Sequence, residues 1–203
     1  KPGKKAFPRV VIIGDVFSIG YSPEVVASLQ FQLFVSLANA NCGDTILCLA
    51  VLDDWLANTG WDVIHFNWGL HDLCYRSEKS KIVGNRDKVN GQQSVPLNQY
   101  IQNLEELVAR LKKSGAKLIW ATTTKVPNGE PGRFAGDEIK YNQAAKKIMI
   151  KHGIAINDLH KLSSSIDASF FRKPGDVHFT PQGSSLLGKQ VADHIGKALG
   201  IKK

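Results

Sequence analysis

Nowhere in the 203 residues do about 18 apolar residues run together, so no bilayer-spanning helix is expected. Cysteine is scarce and odd in number: Cys42, Cys48 and Cys74, with no CxxC pair and no histidine at metal-ligand spacing. The common zinc patterns are thereby excluded. The three read as free thiols, a Cys48 to Cys74 bridge being the open alternative. Acidic residues are outnumbered, 18 Asp and Glu against 26 Lys and Arg, for a formal net charge of +8. Lys1, Lys4, Lys5, Lys202 and Lys203 sit in the two tails, so the body is only mildly basic and nucleic acid is not an expected partner. No repeat, low-complexity tract or linker breaks the chain, which reads as a single domain over 1–203 with 1–7 and 200–203 as flexible tails. A hydrophobic content of 43% suffices for one core without metal or cofactor. No signal peptide is visible, yet the chain starts at Lys1 as a trimmed product would. A secreted or periplasmic parent and a recombinant soluble product both stay open. The expected partner is a small molecule, not a membrane, and a monomer is expected rather than an oligomer.

What is present is an alternation of apolar strands with amphipathic helices, the pattern of a parallel sheet covered on both faces. Strands are expected at Arg9–Gly14, Phe34–Leu37, Trp61–Phe66, Lys117–Thr122 and Ile154–Asn157. Helices are expected from Pro23 with Ser22 as cap, from Gly43-Asp44-Thr45 through Trp55, over Leu97–Lys113, over Asp137–Lys151, as a short turn at Asp158–Ser163, and from Pro181 to Leu199 behind the cap Thr180. Leu73 to Val95 is a long polar connection of the kind that carries function or moves.

In such a fold the groups that act on a ligand lie at the carboxyl ends of the strands. There the chain places Gly14-Asp15-Val16, Asn41-Cys42-Gly43-Asp44-Thr45 and Asn67-Trp68-Gly69-Leu70-His71-Asp72. Asp176-Val177-His178 follows before the last helix. A close Asp and His can form the base-and-orienter half of a serine-hydrolase triad, the carboxylate fixing the imidazole tautomer. A glycine at a strand-to-helix turn lets a backbone N–H approach a developing oxyanion.

In this order the four blocks resemble those of the SGNH/GDSL hydrolases, over essentially the whole chain. The resemblance implies a three-layer α/β/α sandwich, flavodoxin-like, on a five-stranded parallel sheet, acting on esters that are often acetyl groups of carbohydrates. It makes Gly43 the oxyanion glycine and Asp176 with His178 the base pair. His71 falls where many members carry an oxyanion asparagine, with Asn67 as the nearer amide. Val16 falls on the nucleophilic serine, and DxH is one residue shorter than the commoner DxxH. Valine has no nucleophilic atom, so the acyl-enzyme route is closed. Ser18, two residues on, is a poor substitute.

Other positions look greasier than the family's: Leu37-Ala38 before the second block, Ile46 after it, and the aromatics Phe17 and Phe134. Lys125, in TTTKVP, stands where related sequences have proline or a small apolar residue. A lysine desolvated among Val16, Leu37, Ile46 and Phe134 would lose its proton and could form a Schiff base with a carbonyl. The expectation is therefore an esterase scaffold with its serine site disabled and re-engineered for retro-aldol chemistry through Lys125, with His178 or His71 moving protons. The alternative is an inactive ester or carbohydrate hydrolase that still binds ligand. A third reading is a binding protein using Val26, Phe31, Leu33 and Phe34.

Overall fold

The computed structural model describes residues 7–29, 34–37, 42–57 and 60–201. Its first unit is β1 (Arg9–Ile13), α1 (Val16–Leu29), β2 (Phe34–Leu37), α2 (Thr45–Leu56) and β3 (Val63–Phe66). Two short strands follow, β4 (Tyr75–Arg76) and β5 (Gln92–Gln93), then α3 (Leu97–Lys113), β6 (Lys117–Ala121), α4 (Asp137–Lys151), β7 (Ala155–Asn157), α5 (Leu159–Ser165) and α6 (Pro181–Leu199). The five-stranded sheet runs β2-β1-β3-β6-β7 with every pairing parallel. Helix α1 packs on α6, while α2 packs on α3 and α3 on α4, which makes the three-layer sandwich. A parallel sheet covered on both faces needs strands that are apolar throughout, and Val10–Ile13 and Val63–Phe66 are all buried.

The chain leaves β1 for β2 on one side and returns to β3 on the other. That reversal opens a crevice between the carboxyl ends of β1 and β3. Backbone bonds tie the crevice together: Asn67 N–H donates to Ile13 O at 3.1 Å and Cys42 N–H to Gly14 O at 3.0 Å.

Three expectations need correction. Helix α1 starts at Val16 rather than Pro23, because the Asp15 carboxylate accepts the Phe17 N–H at 3.0 Å and acts as the cap. Ser22 is no cap; its hydroxyl bonds back to Ser18 O inside the helix, which carries Pro23 in its interior. Cys42 and Cys48 are not free thiols but a disulfide across the first turn of α2, Cα atoms 5.3 Å apart, while Cys74 is buried and unpaired. Cys42 precedes the cap Asp44, with Gly43 at φ +55° between them, so the chain folds back on the first turn of α2 and brings two residues six apart within reach, which composition and spacing rules do not capture. The long connection after Leu73 contains a short hairpin, in which β4 and β5 pair antiparallel, Tyr75 against Gln93 and Arg76 against Gln92.

That hairpin and the loop after β6 are joined around Glu130. Its fully buried carboxylate pairs with Arg86 at 2.9 Å and with Arg133, itself buried, at 2.8 Å. Arg133 Nε donates to Leu70 O at 2.7 Å, which anchors this unit beside the third block.

Candidate active site

The turn after β1 is held from beneath. Asp15 is 1% exposed, and burial pushes its carboxyl up to about 6 against the Phe17 N–H and the charge of Arg133. Val16, the first residue of α1, is half-buried and offers only methyl groups. Ser18 cannot replace a missing hydroxyl, since it is 4% exposed and donates to Asp15 O at 2.6 Å.

Across the crevice the loop before α6 presents the acid–base pair. His178 donates its ring Nδ1–H to Asp176 Oδ1 at 2.6 Å, and its backbone N–H to the same oxygen at 3.0 Å. Burial works against the Asp176 charge, but these two donors outweigh it and hold the carboxyl below its usual range. With Nδ1 engaged, Nε2 is the open ring nitrogen; the imidazole is 31% exposed and no described residue bonds that nitrogen. The ring of Phe17, next to Val16, lies 6.0 Å from the imidazole and 5.6 Å from Phe179. Thr180 caps α6 by accepting the Gly183 N–H at 3.2 Å, which fixes where this loop ends.

The second and third blocks meet through one carboxylate. Gly43 has φ +55°, a left-handed value that favours glycine, and Asp44 caps α2 by accepting the Leu47 N–H at 2.9 Å. Asp72 Oδ1 then accepts both the N–H of Thr45 at 2.9 Å and its hydroxyl at 2.6 Å. Asn103 donates to that same hydroxyl at 2.9 Å. Gly69, at φ +140°, has no room for a side chain: an added Cβ would sit 2.4 Å from Thr123 Oγ1. The turn so formed carries His71, half-buried. Burial first, then the cations Arg133 and Arg76, push its imidazole down to about 4, with Asp44 pulling the other way and His178 adding slightly to the fall. His71 is therefore neutral across the ordinary pH range, and within electrostatic reach of His178.

Residues 18–186 match the sequence pattern of the GDSL-like Lipase/Acylhydrolase family. The chain belongs to that family. The match begins at Ser18, just past the turn that carries Val16. Among solved structures this family member is similar to the lipase/acylhydrolase from Enterococcus faecalis, with TM-score 0.73 and 17% identity over 94% of this chain and 96% of that one. It is also similar to the acetylxylan esterase from Geobacillus stearothermophilus, with TM-score 0.72 and 17% identity over 94% and 95%. The acetyl xylan esterase AlAXEase follows at TM-score 0.69 and 14% identity over 92% and 99%. At these identities the likeness is one of fold. No curated protein matches the sequence.

Within this GDSL-like frame several expected site residues stand elsewhere. Asn67 is 6% exposed and donates its amide to Ala121 O at 2.7 Å, so it joins β3 to β6 rather than facing a ligand. Lys125 is exposed, contrary to the desolvated amine expected of it. The reason lies in two of the threonines before it, Thr122 and Thr123. Thr122 Oγ1 takes the His160 N–H at 2.7 Å, and Thr123 is bonded through both N–H and O to Asn142 at 2.8 Å. The Lys125 N–H itself goes to Ser163 Oγ at 2.9 Å. The chain is thereby steered toward α4 and α5, and Lys125 lines a groove with Pro127, Glu138, Ile139, Ile166 and Phe171, not with Val16, Ile46 or Phe134. Phe134 belongs to the β4–β5 unit, edge-on to Tyr75 at 5.3 Å and under the Lys88 ammonium. Ile46 is exposed on the first turn of α2, and Val26 is exposed on α1. Phe31, Leu33 and Asn41, and the side chains of Phe34 and Leu37, lie outside the described residues.

Sequence reasoning missed the role of Asp72, which links the turn at His71 to the turn at Gly43, and that of Arg133. A signal existed for the first, an aspartate and a threonine each following a block glycine. A buried carboxylate accepting both the N–H and the hydroxyl of one residue still cannot be read from spacing.

Proposed function

We propose that this protein is a GDSL-family domain that keeps the acyl-ester cleft and its acid–base pair but not the nucleophile, so that it binds esters of the O-acetyl carbohydrate class without forming an acyl-enzyme. One observation carries the reading: Val16 follows Gly14-Asp15 in the turn after β1, while Asp176 and His178 remain joined at 2.6 Å across the crevice. In the Geobacillus esterase, the catalytic mutants carry alanine in place of a serine and of an aspartate. In this reading Asp176 takes the part of that aspartate, and Val16 stands where the serine would be. His71 takes the part of the missing asparagine amide, since a neutral imidazole donates one N–H to an oxygen that gains charge.

The test is Val16→Ser. The serine would stand one residue before Phe17, whose ring lies 6.0 Å from the His178 imidazole, and should gain hydrolysis of acetylated xylo-oligosaccharides and small acetyl esters by at least about 10²-fold over the native chain, with a burst and a trappable acyl-serine. If the variant folds and shows neither burst nor acyl-serine, the cleft is not an acyl-ester site. Lys125 is exposed, and no observation favours the amine reading over this one.

A further inference from the structure

With valine after Gly14-Asp15, the imidazole of His178 is oriented, partly exposed and, at that position, without a hydroxyl to deprotonate. Nδ1 of His178 is fixed on Asp176 at 2.6 Å, which keeps the lone pair on Nε2. Among the described residues the hydroxyl nearest in sequence to the nucleophile position, Ser18, is committed to Asp15 O. The side chain is 31% exposed, so solvent reaches Nε2. His71 shares the cleft, half-buried, within electrostatic reach of His178 and kept neutral by burial and by Arg133 and Arg76. Two imidazoles in one cleft with different surroundings divide into a base and a donor.

Resting on the reading of the cleft as an acyl-ester site, we infer that the native chain is a slow esterase without a covalent intermediate, in which His178 activates water and His71 donates to the carbonyl oxygen. A water O–H gives its proton to Nε2 as the water oxygen bonds to the carbonyl carbon, and the C=O electron pair moves onto oxygen, toward the His71 N–H. Collapse re-forms C=O and breaks the bond to the alkoxy group, which takes the proton back from Nε2. The balance is ester plus water to acid plus alcohol, with the protein unchanged. Asp176 holds the tautomer and faces the imidazolium that forms. Val16 contributes no atom to the reaction.

The experiment uses the full chain with 4-nitrophenyl acetate and with acetylated xylo-oligosaccharide. The expected result is turnover about 10³-fold above spontaneous hydrolysis, linear from the first turnover, slower in heavy water, with no acyl adduct in the quenched protein. His178→Gln should lower the rate by about 10²-fold, the worth of a positioned base. Asp176→Asn should also lower it, at unchanged melting temperature. His152→Gln, on the far end of α4 and paired with Glu105, should change nothing. A native rate equal to that of His178→Gln, an acyl adduct on any side chain, or no slowing in heavy water would each overturn the inference. Val16→Ser separates the two levels. If it forms an acyl-serine while the native chain is inert, the ester site stands and water activation fails. If neither protein acts, the site assignment has failed.

Discussion

Replacing Asp72 by Asn isolates the buried carboxylate that joins the two ligand-facing turns. Asp72 is 0% exposed; its Oδ1 accepts two bonds from Thr45, and its Oδ2 has no partner among the described residues. Burial pushes its carboxyl up to about 7, against the pull of the two Thr45 donors, whereas in the unfolded chain it titrates near about 3.9. Below about pH 4 the group is protonated in both states and does not bear on stability. As pH rises further the unfolded chain loses its proton first, so stability falls by about 1.4 kcal/mol per pH unit until pH passes the folded value near 7. The asparagine carbonyl keeps both Thr45 bonds and does not titrate. Between about pH 5 and about pH 8 the variant should therefore gain on the native chain by two units of that slope, about 3 kcal/mol. Asp15, pushed up to about 6 by burial, has the same sign but is common to both proteins and cancels. Urea unfolding followed by fluorescence of the buried Trp68 and Trp120 reads the difference as a midpoint shift. A stability difference that is the same at both pH values would refute the reasoning. Asp72→Ala is the companion: it strands two buried donors of Thr45 and should destabilise by about 2–4 kcal/mol.

Reduction of the Cys42–Cys48 disulfide, or Cys48→Ala, should lower stability by about 2 kcal/mol for so short a loop; equal urea midpoints with and without reductant would show that the bond is absent in solution. Gly69→Ala combines φ +140° with a 2.4 Å approach to Thr123 Oγ1 and should lower stability by about 2–4 kcal/mol in a thermal melt, whereas an unchanged melt would mean the turn is looser than its packing indicates. Lys125→Met should alter stability by less than about 0.5 kcal/mol, as for an ordinary surface position, and borohydride with a ketone should leave no adduct on the native Lys125. An adduct mapped there would bring the amine reading back.

Periodicity and capping residues were enough for most of the frame, the start of α1 excepted. The limits of α3, α4 and α6, the cap Thr180 and the strand Phe34–Leu37 agree with the sequence reading, because capping residues and apolar spacing act within a few positions along the chain. The pairing of Asp176 with His178 is legible for the same reason, as two residues separated by one lie within reach of each other on a tight loop. What tertiary structure alone decided involves partners distant in sequence. Asn67 was drawn to Ala121 and away from the cleft, Lys125 was turned outward by threonines bonded to α4 and α5, and Thr45 found its acceptor in Asp72. In each case a buried donor or acceptor must be matched, and which group matches it depends on which loops the sheet order β2-β1-β3-β6-β7 brings side by side. Local pattern sets where elements begin and end; the direction of a side chain at the end of a strand is set by the unpaired polar group it meets there.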